Sequence, residues 1–241
     1  MRIADGIEML ELNWGMMTIC PTVLFDKQES ILIDTGMPGS APAILKLIQR
    51  AGIKQRLSSI LLTHQDIDHI GGLPTFIADN PGLLVYAHEK DKAVINGKQP
   101  MLKIPLERLF GLLATLPKKI QSDFEAAFVK PTSANVNRTL VDGETLPLAG
   151  GIKVIHTPGH TPGHVCFYHQ PTKTLIAGDA MVIENGELKG PIKALTTDLR
   201  TALQSLKKLN MYDIETVICY HGGRLRGNMN ERIAALTDST S

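Results

Sequence analysis

The sequence predicts a layered α/β fold with its chemistry gathered on one rim of β-strands, and two observations predict it. Short β-rich runs alternate with stretches of helical periodicity through much of the chain. Four of those runs also end in a metal-ligand type of residue beside glycine. Ile60-Leu61-Leu62 leads to Thr63-His64-Gln65-Asp66-Ile67-Asp68-His69, with Gly71 and Gly72 behind it. Val154-Ile155 leads to His156, His160 and His164, and Thr174-Leu175-Ile176-Ala177 leads through Gly178 to Asp179. Thr216-Val217-Ile218-Cys219 leads through Tyr220 to His221. Strand ends in such folds share a rim, where layered domains tend to hold their sites.

Taken in order, Thr22-Val23-Leu24-Phe25 and Ser30-Ile31-Leu32-Ile33 are strand-like, joined by the polar turn Asp26-Lys27-Gln28-Glu29. Asp34-Thr35-Gly36 closes the second strand. Ser40 as N-cap and Pro42 in the first turn then open a helix that stops at Gly52. Ile44, Leu45, Ile48 and Ala51 form its expected buried face. After the strand at 60–62, Leu73, Phe76 and Ile77 mark a short helix, and Leu83 to Ala87 resumes a strand.

From about 88 to 141 the texture changes. Leu106, Leu109, Phe110, Leu113 and Leu116 repeat at helical spacing after Pro105, and Ile120, Phe124, Ala127 and Phe128 after Pro117. This reads as a helical insertion whose apolar stripes pack on the core and whose position suits a lid or substrate wall. Strands return at Leu140-Val141, Ile152 to Ile155, Val165 to Tyr168 and Leu175 to Ala177. Leu199, Leu203, Leu206 and Leu209 mark a helix opened by Thr197 or Asp198, and Ile233 and Leu236 a closing one. No linker composition interrupts the chain, so one domain spanning 1–241 is expected.

The 241 residues are 43% hydrophobic and 20% charged, with a formal net charge of +1. That gives no electrostatic footprint for nucleic acid or an anionic membrane, so a small-molecule substrate is the expected partner. No signal for an oligomeric state is present. The first residues lack the apolar core of a signal peptide and no run approaches a membrane span, so a cytoplasmic location is expected. Three cysteines without Cys-x-x-Cys spacing read as buried thiols; Cys219, inside a strand-like run, is read as core rather than nucleophile.

Histidine with carboxylate suits a borderline divalent cation such as zinc, manganese or iron. An EF-hand reading of Asp66 and Asp68 fails, because Ile70 and Ile77 occupy positions that must coordinate calcium. Neither a His-Glu-x-x-His pattern nor a Gly-x-Ser-x-Gly elbow occurs.

The motifs His64-x-Asp66-x-Asp68-His69, Thr157-Pro158-Gly159-His160, Gly178-Asp179 and His221-Gly222-Gly223, in this order, resemble the metallo-β-lactamase-fold hydrolases, with greatest similarity to the glyoxalase II and N-acyl homoserine lactone lactonase branches. The resemblance runs from about Asn13 to Gly223. It implies a four-layer αβ/βα sandwich with two divalent metal ions, zinc being the first choice, with manganese or iron as alternatives. It assigns His64, Asp66 and His160 to one ion, Asp68, His69 and His221 to the other, and Asp179 to a bridge. Asp34 would orient a ligand imidazole; His156 and His164 would be neighbours, His164 supporting the ligands. Met181 and Val182 would border the substrate. His88 and His169 have no place in the pattern and are read as surface or capping residues.

This chain departs from the family at position 66, where histidine is usual. An aspartate oxygen and the Nδ1 of histidine are both attached to Cγ, so the donor atom can take nearly the same place. The charge differs: three carboxylates and a hydroxide offset two divalent ions completely, where the usual set leaves one positive charge. Oxygen for nitrogen also moves preference toward harder metals.

The resemblance implies metal-assisted hydrolysis, in which a bridging hydroxide aimed by Asp68 attacks an ester, thioester or lactone carbonyl. A phosphodiesterase on the same dinuclear site, an iron-based redox role, and a non-enzymatic binding protein with a site weakened by Asp66 are the alternatives.

Overall fold

The computed structural model describes residues 1–15 and 17–238. Its first sheet has seven strands, in the spatial order Arg2–Ala4, Ile7–Met9, Thr22–Phe25, Glu29–Ile33, Arg56–Leu61, Leu84–His88 and Arg138–Leu140. Pairing is antiparallel as far as Glu29–Ile33 and parallel beyond it. The second sheet has six: Thr145–Leu146, Ile152–His156, Val165–His169, Thr174–Ile176, Thr216–Cys219 and Gly223–Arg226. There only Thr174–Ile176 and Thr216–Cys219 run parallel. Two hairpins stand apart, Leu12–Trp14 with Met17–Ile19 and Val182–Glu184 with Glu187–Lys189.

Side-chain alternation along the strands makes four layers. Ile31, Ile33, Leu61, Val154, Phe167, Ile176 and Ile218 point between the sheets into one apolar cluster. Their neighbours Leu32, Ile60 and Leu62 face outward onto the helices Ala41–Arg50 and Leu73–Asp79 through Ile44, Ile48, Leu73 and Phe76. On the other side Ile155, Cys166, Leu175, Val217 and Cys219 pack with Leu206, Met229 and Ile233 of the helices Leu199–Leu206 and Met229–Asp238. Because both faces of these strands are covered, they read as unbroken apolar runs rather than alternating ones.

Several local expectations are corrected. Ser40 occupies the N-cap position of helix Ala41–Arg50, but its hydroxyl makes no capping bond. Leu45 on that helix is 42% exposed, and Leu47 packs toward the core in its place. In the insertion, helices Leu106–Ala114 and Lys118–Phe124 bury Leu109, Leu113 and Phe124, while Leu106 and Phe110 face solvent. His88 caps helix Glu89–Ile95 by accepting from the Lys90 N–H. His169 is buried, not a surface residue: it bridges Thr172 and the Ala149 carbonyl, which fixes the turn after Val165–His169. Cys20, Cys166 and Cys219 are buried free thiols, and burial pushes all three up, Cys20 and Cys166 to about 12. A thiolate nucleophile at Cys219 therefore has no support. No helix of the described residues is long and apolar enough to cross a membrane.

Candidate metal centre

Strand Arg56–Leu61 delivers the chain to Thr63, and the short helix Ile67–Ile70 then turns His69 back toward the sheet edge. Asp34, at the end of Glu29–Ile33, holds this turn together. The Thr63 N–H donates to Asp34 Oδ1 at 2.8 Å, and the Thr63 hydroxyl to Oδ2 at 2.7 Å. His69 Nδ1–H donates to the same Oδ2 at 2.9 Å, which turns His69 Nε2 into the cluster. Asp34 carries a φ of 61°, a left-handed conformation that a non-glycine residue holds only at a cost.

The second strap is a buried carboxylate that sequence reasoning missed. Asp91, fully buried on helix Glu89–Ile95, accepts from the Gln65 backbone and side-chain amides, both at 3.1 Å. It also accepts from the Thr161 hydroxyl and the Gly163 N–H, both at 2.7 Å. One side chain thus ties the loop of His64 to the loop of His160.

His164 lies behind the cluster. Its Nδ1 pairs with Thr157 Oγ1 at 2.8 Å and its Nε2 accepts from the Asp179 N–H at 3.1 Å. Burial, then the neighbouring His64 and His160, hold it well below the usual imidazole range, as that acceptor role requires. With both ring nitrogens engaged, His164 positions Asp179 and is not itself placed to coordinate. Gly178 just before Asp179 has φ 52°, and a Cβ there would meet His164 Nε2 at 2.8 Å and Thr63 Cβ at 2.9 Å. Only glycine lets the strand end pass so close. His156 turns away, its Nε2 on the Pro162 carbonyl and its ring stacked on His88 at 3.9 Å.

The seven residues His64, Asp66, Asp68, His69, His160, Asp179 and His221, drawn from four strand ends, fall into two adjoining groups. In the first, Asp66 Oδ2 stands 3.2 Å from His64 Nε2 and 3.1 Å from His160 Nε2, and Asp179 Oδ2 is 3.4 Å from His160 Nε2. In the second, Asp68 Oδ2 stands 3.2 Å from His221 Nε2 and 3.7 Å from His69 Nε2. Asp179 reaches both His69, at 3.3 Å, and His221, at 3.6 Å, so it lies between the groups. Tetrahedral ligands on bonds of about 2.0–2.1 Å are roughly 3.3–3.4 Å apart, so these separations fit a small divalent ion.

The electrostatics point the same way. Burial alone would raise the Asp179 carboxyl, but His69 and His221 outweigh it and hold the group well below the usual range. Burial would lower His221, but Asp179 and Asp68 raise it to about 9; burial opposes the charge on His69 too, but Asp179, Asp68 and Asp34 hold that imidazole well above its usual range. These carboxylates demand a positive partner. His64 Nε2, His69 Nε2 and Asp179 Oδ1 are buried without a hydrogen bond, an arrangement that costs free energy unless a cation takes their lone pairs. The donor set therefore fits a divalent metal.

Two further residues at the rim were not singled out from the sequence. Tyr220 stacks on His69 at 3.8 Å and donates its hydroxyl to the Asp68 carbonyl at 2.5 Å, fixing the second group from below. Lys103, in the loop before helix Leu106–Ala114, places Nζ 2.6 Å from Asp66 Oδ2 and 2.7 Å from His160 Nε2. Met181 is fully buried among the core residues around Leu188 and Leu206, and Val182 is nearly so.

An αβ/βα sandwich with histidines and aspartates at the strand ends defines a class of metal-dependent hydrolases. The chain belongs to the metallo-beta-lactamase superfamily, whose profile matches residues 18–221, and it is a metallo-hydrolase of that family. It is 32% identical over 209 residues to the "Probable metallo-hydrolase YflN" of Bacillus subtilis (strain 168), covering 82% of this chain and 76% of that one. It is 30% identical to the hydroxyacylglutathione hydrolase of Enterobacter sp. (strain 638), over 80% of this chain but only 57% of the relative's length. Among solved structures, a metallo-beta-lactamase family protein from Thermus thermophilus superposes with a TM-score of 0.70 at 25% identity, covering 99% of this chain and 80% of that chain.

Proposed function

We propose that this protein is a metal-dependent acyl hydrolase that cleaves a carboxylic ester, thioester or lactone of a small molecule. The observation that carries the reading is the convergence of His64 Nε2, His69 Nε2 and Asp179 Oδ1, buried and without hydrogen bonds, on one rim. His64, Asp66 and His160 on one side and Asp68, His69 and His221 on the other would hold divalent cations, with Asp179 serving both. Bound there, such an ion would lower the pKa of water from about 15.7 toward 7 and polarise the substrate carbonyl.

The protein's own groups do the rest. Burial opposes ionisation of Asp68, but His69 and His221 keep its carboxylate charged, able to accept a hydrogen bond from the attacking water and aim it. Asp34 locks the tautomer of His69, and Tyr220 fixes the Asp68 backbone, so neither group must reorganise during reaction. Four imidazoles with three carboxylates suit zinc, and the third carboxylate, Asp66, widens the choice to manganese or ferrous iron. The thioester branch draws support from the hydroxyacylglutathione hydrolase relative.

The test is turnover by zinc- or manganese-reloaded protein of a panel of glutathione thioesters, aryl esters, lactones and aryl phosphodiesters. Acyl turnover that falls by about 10³ or more in Asp179→Ala is expected. Turnover of phosphodiesters alone, or acyl turnover indifferent to Asp179→Ala, would overturn the proposal.

A further inference from the structure

The two donor groups are not equivalent, because a lysine enters one of them. Lys103 Nζ lies 2.6 Å from Asp66 Oδ2 and 2.7 Å from His160 Nε2, two atoms that themselves stand 3.1 Å apart. It is not a loose surface side chain: only 19% of it is exposed, and its neighbours Met101 and Ile104 are packed against the core. The hydrogen-bond network at His160 is complete with the lysine in place. His160 Nδ1 pairs with Thr196 Oγ1 at 3.3 Å, and that hydroxyl donates onward to the Ile192 carbonyl at 2.8 Å. In that tautomer Nε2 is the acceptor, and the ammonium donates into it.

An imidazole Nε2 has one lone pair. While Lys103 uses the lone pair of His160, a metal ion cannot. The charge count agrees. Asp66, Asp68 and Asp179 supply three negative charges, which one divalent ion and one ammonium balance. Two divalent ions with the ammonium still present leave two positive charges in excess at a buried site, and one even with a hydroxide bound, which is unfavourable. Aspartate rather than histidine at 66 fits the same arrangement, since a carboxylate pairs with an ammonium and a neutral imidazole offers it much less. Asp68, His69 and His221 have no comparable cation among the described residues, and His69 Nε2 there has no hydrogen bond.

We propose that the Lys103 ammonium is the resident cation of the His64–Asp66–His160 group. The resting protein then holds one tight divalent ion, among Asp68, His69, His221 and Asp179. A second ion enters weakly, toward His64 Nε2, and only as Lys103 withdraws. This rests on the metallo-hydrolase reading above.

The experiment is zinc titration of chelator-stripped full-length protein by calorimetry, with metal counted by elemental analysis after desalting. Lys103→Met and Lys103→Gln are compared with wild type, their folding checked by circular dichroism. Wild type is expected to retain one equivalent, with a second bound on the order of 100-fold more weakly, and both variants to retain two of similar affinity. Two tight equivalents in wild type would overturn the role of Lys103 and leave the metal reading standing. One equivalent in all three proteins would do the same. No retained zinc in any of them would instead overturn the metallo-hydrolase reading on which the inference rests.

Discussion

The two donor groups of the candidate metal centre meet at Asp179 but are supported differently. The half formed by Asp68, His69 and His221 is braced from behind: Asp34 holds His69 by its outer nitrogen, and the Tyr220 hydroxyl holds the Asp68 backbone. There His69 Nε2 is left without a hydrogen bond, while Asp68 Oδ2 and His221 Nε2 stand 3.2 Å apart. The half formed by His64, Asp66 and His160 is braced across two loops by Asp91, and its open face meets Lys103. On the proposal above, one side would receive a divalent cation while the other holds the Lys103 ammonium. A family motif read as a single unit thus contains two sites with separate demands, and the exchange at one position, aspartate for histidine at 66, is matched by a side chain 37 positions away.

Substitutions should separate the halves in a graded way. Asp179→Ala removes the shared carboxylate, so it should abolish tight metal binding altogether and lower acyl turnover by about 10³ or more, read by elemental analysis and initial rates. Asp34→Ala should act most directly on the half that holds His69, reaching His64 only through the Thr63 hydroxyl, which stands 3.0 Å from His64 Nδ1. It frees the His69 ring to rotate and should weaken the tight ion by roughly 10–100-fold. Titration with a chromophoric chelator as competitor checks this; an unchanged affinity would show that Asp34 does not set the His69 tautomer. Asp91→Ala should act on the other half and on stability. It strands buried donors at Gln65, Thr161 and Gly163, costing about 3 kcal/mol or more in urea unfolding, while the tight ion is retained in the protein that remains folded. Loss of the tight ion with folding intact would break the division between the halves.

The smallest effect lies outside the cluster and serves as a control for pH work on it. Burial, then His156 and Lys90, depress His88 to about 4, with Asp91 and Asp142 opposing. Between that value and about 6.5 the unfolded chain binds the proton and the folded one does not, so stability rises with pH across this window. His88→Asn should flatten that part of the stability profile without changing metal affinity. A slope unchanged in the variant would remove His88 as its source.

The rim was legible in the sequence because each of its strands announces itself locally: an apolar run, a ligand, a glycine. Alternation then decides which side chain of Ile31-Leu32-Ile33 enters which layer, and a doubly covered strand conceals it, so the layers themselves were not readable from the runs. The strands before residue 22 and the hairpin at 182–189 escaped notice because they are three residues long and, apart from the fully buried Ile7–Met9, carry mixed burial. Lys103 and Asp91 escaped for a different reason. Each acts over a long sequence separation from a segment with no motif, and an exposed-looking lysine between two prolines gives no sign that its loop folds back over the rim. Met181, two residues after Asp179, is fully buried, which adjacency in sequence could not show.

The central claim is that a divalent cation sits among Asp68, His69, His221 and Asp179. Anomalous diffraction at the metal edge from crystals of zinc-loaded protein tests it directly. The strongest peak is expected about 2.0–2.2 Å from His69 Nε2 and His221 Nε2, with one carboxylate oxygen from Asp68 and one from Asp179 at similar range. A strongest peak among His64, Asp66 and His160, or no peak at the rim from protein shown to contain zinc, would contradict it.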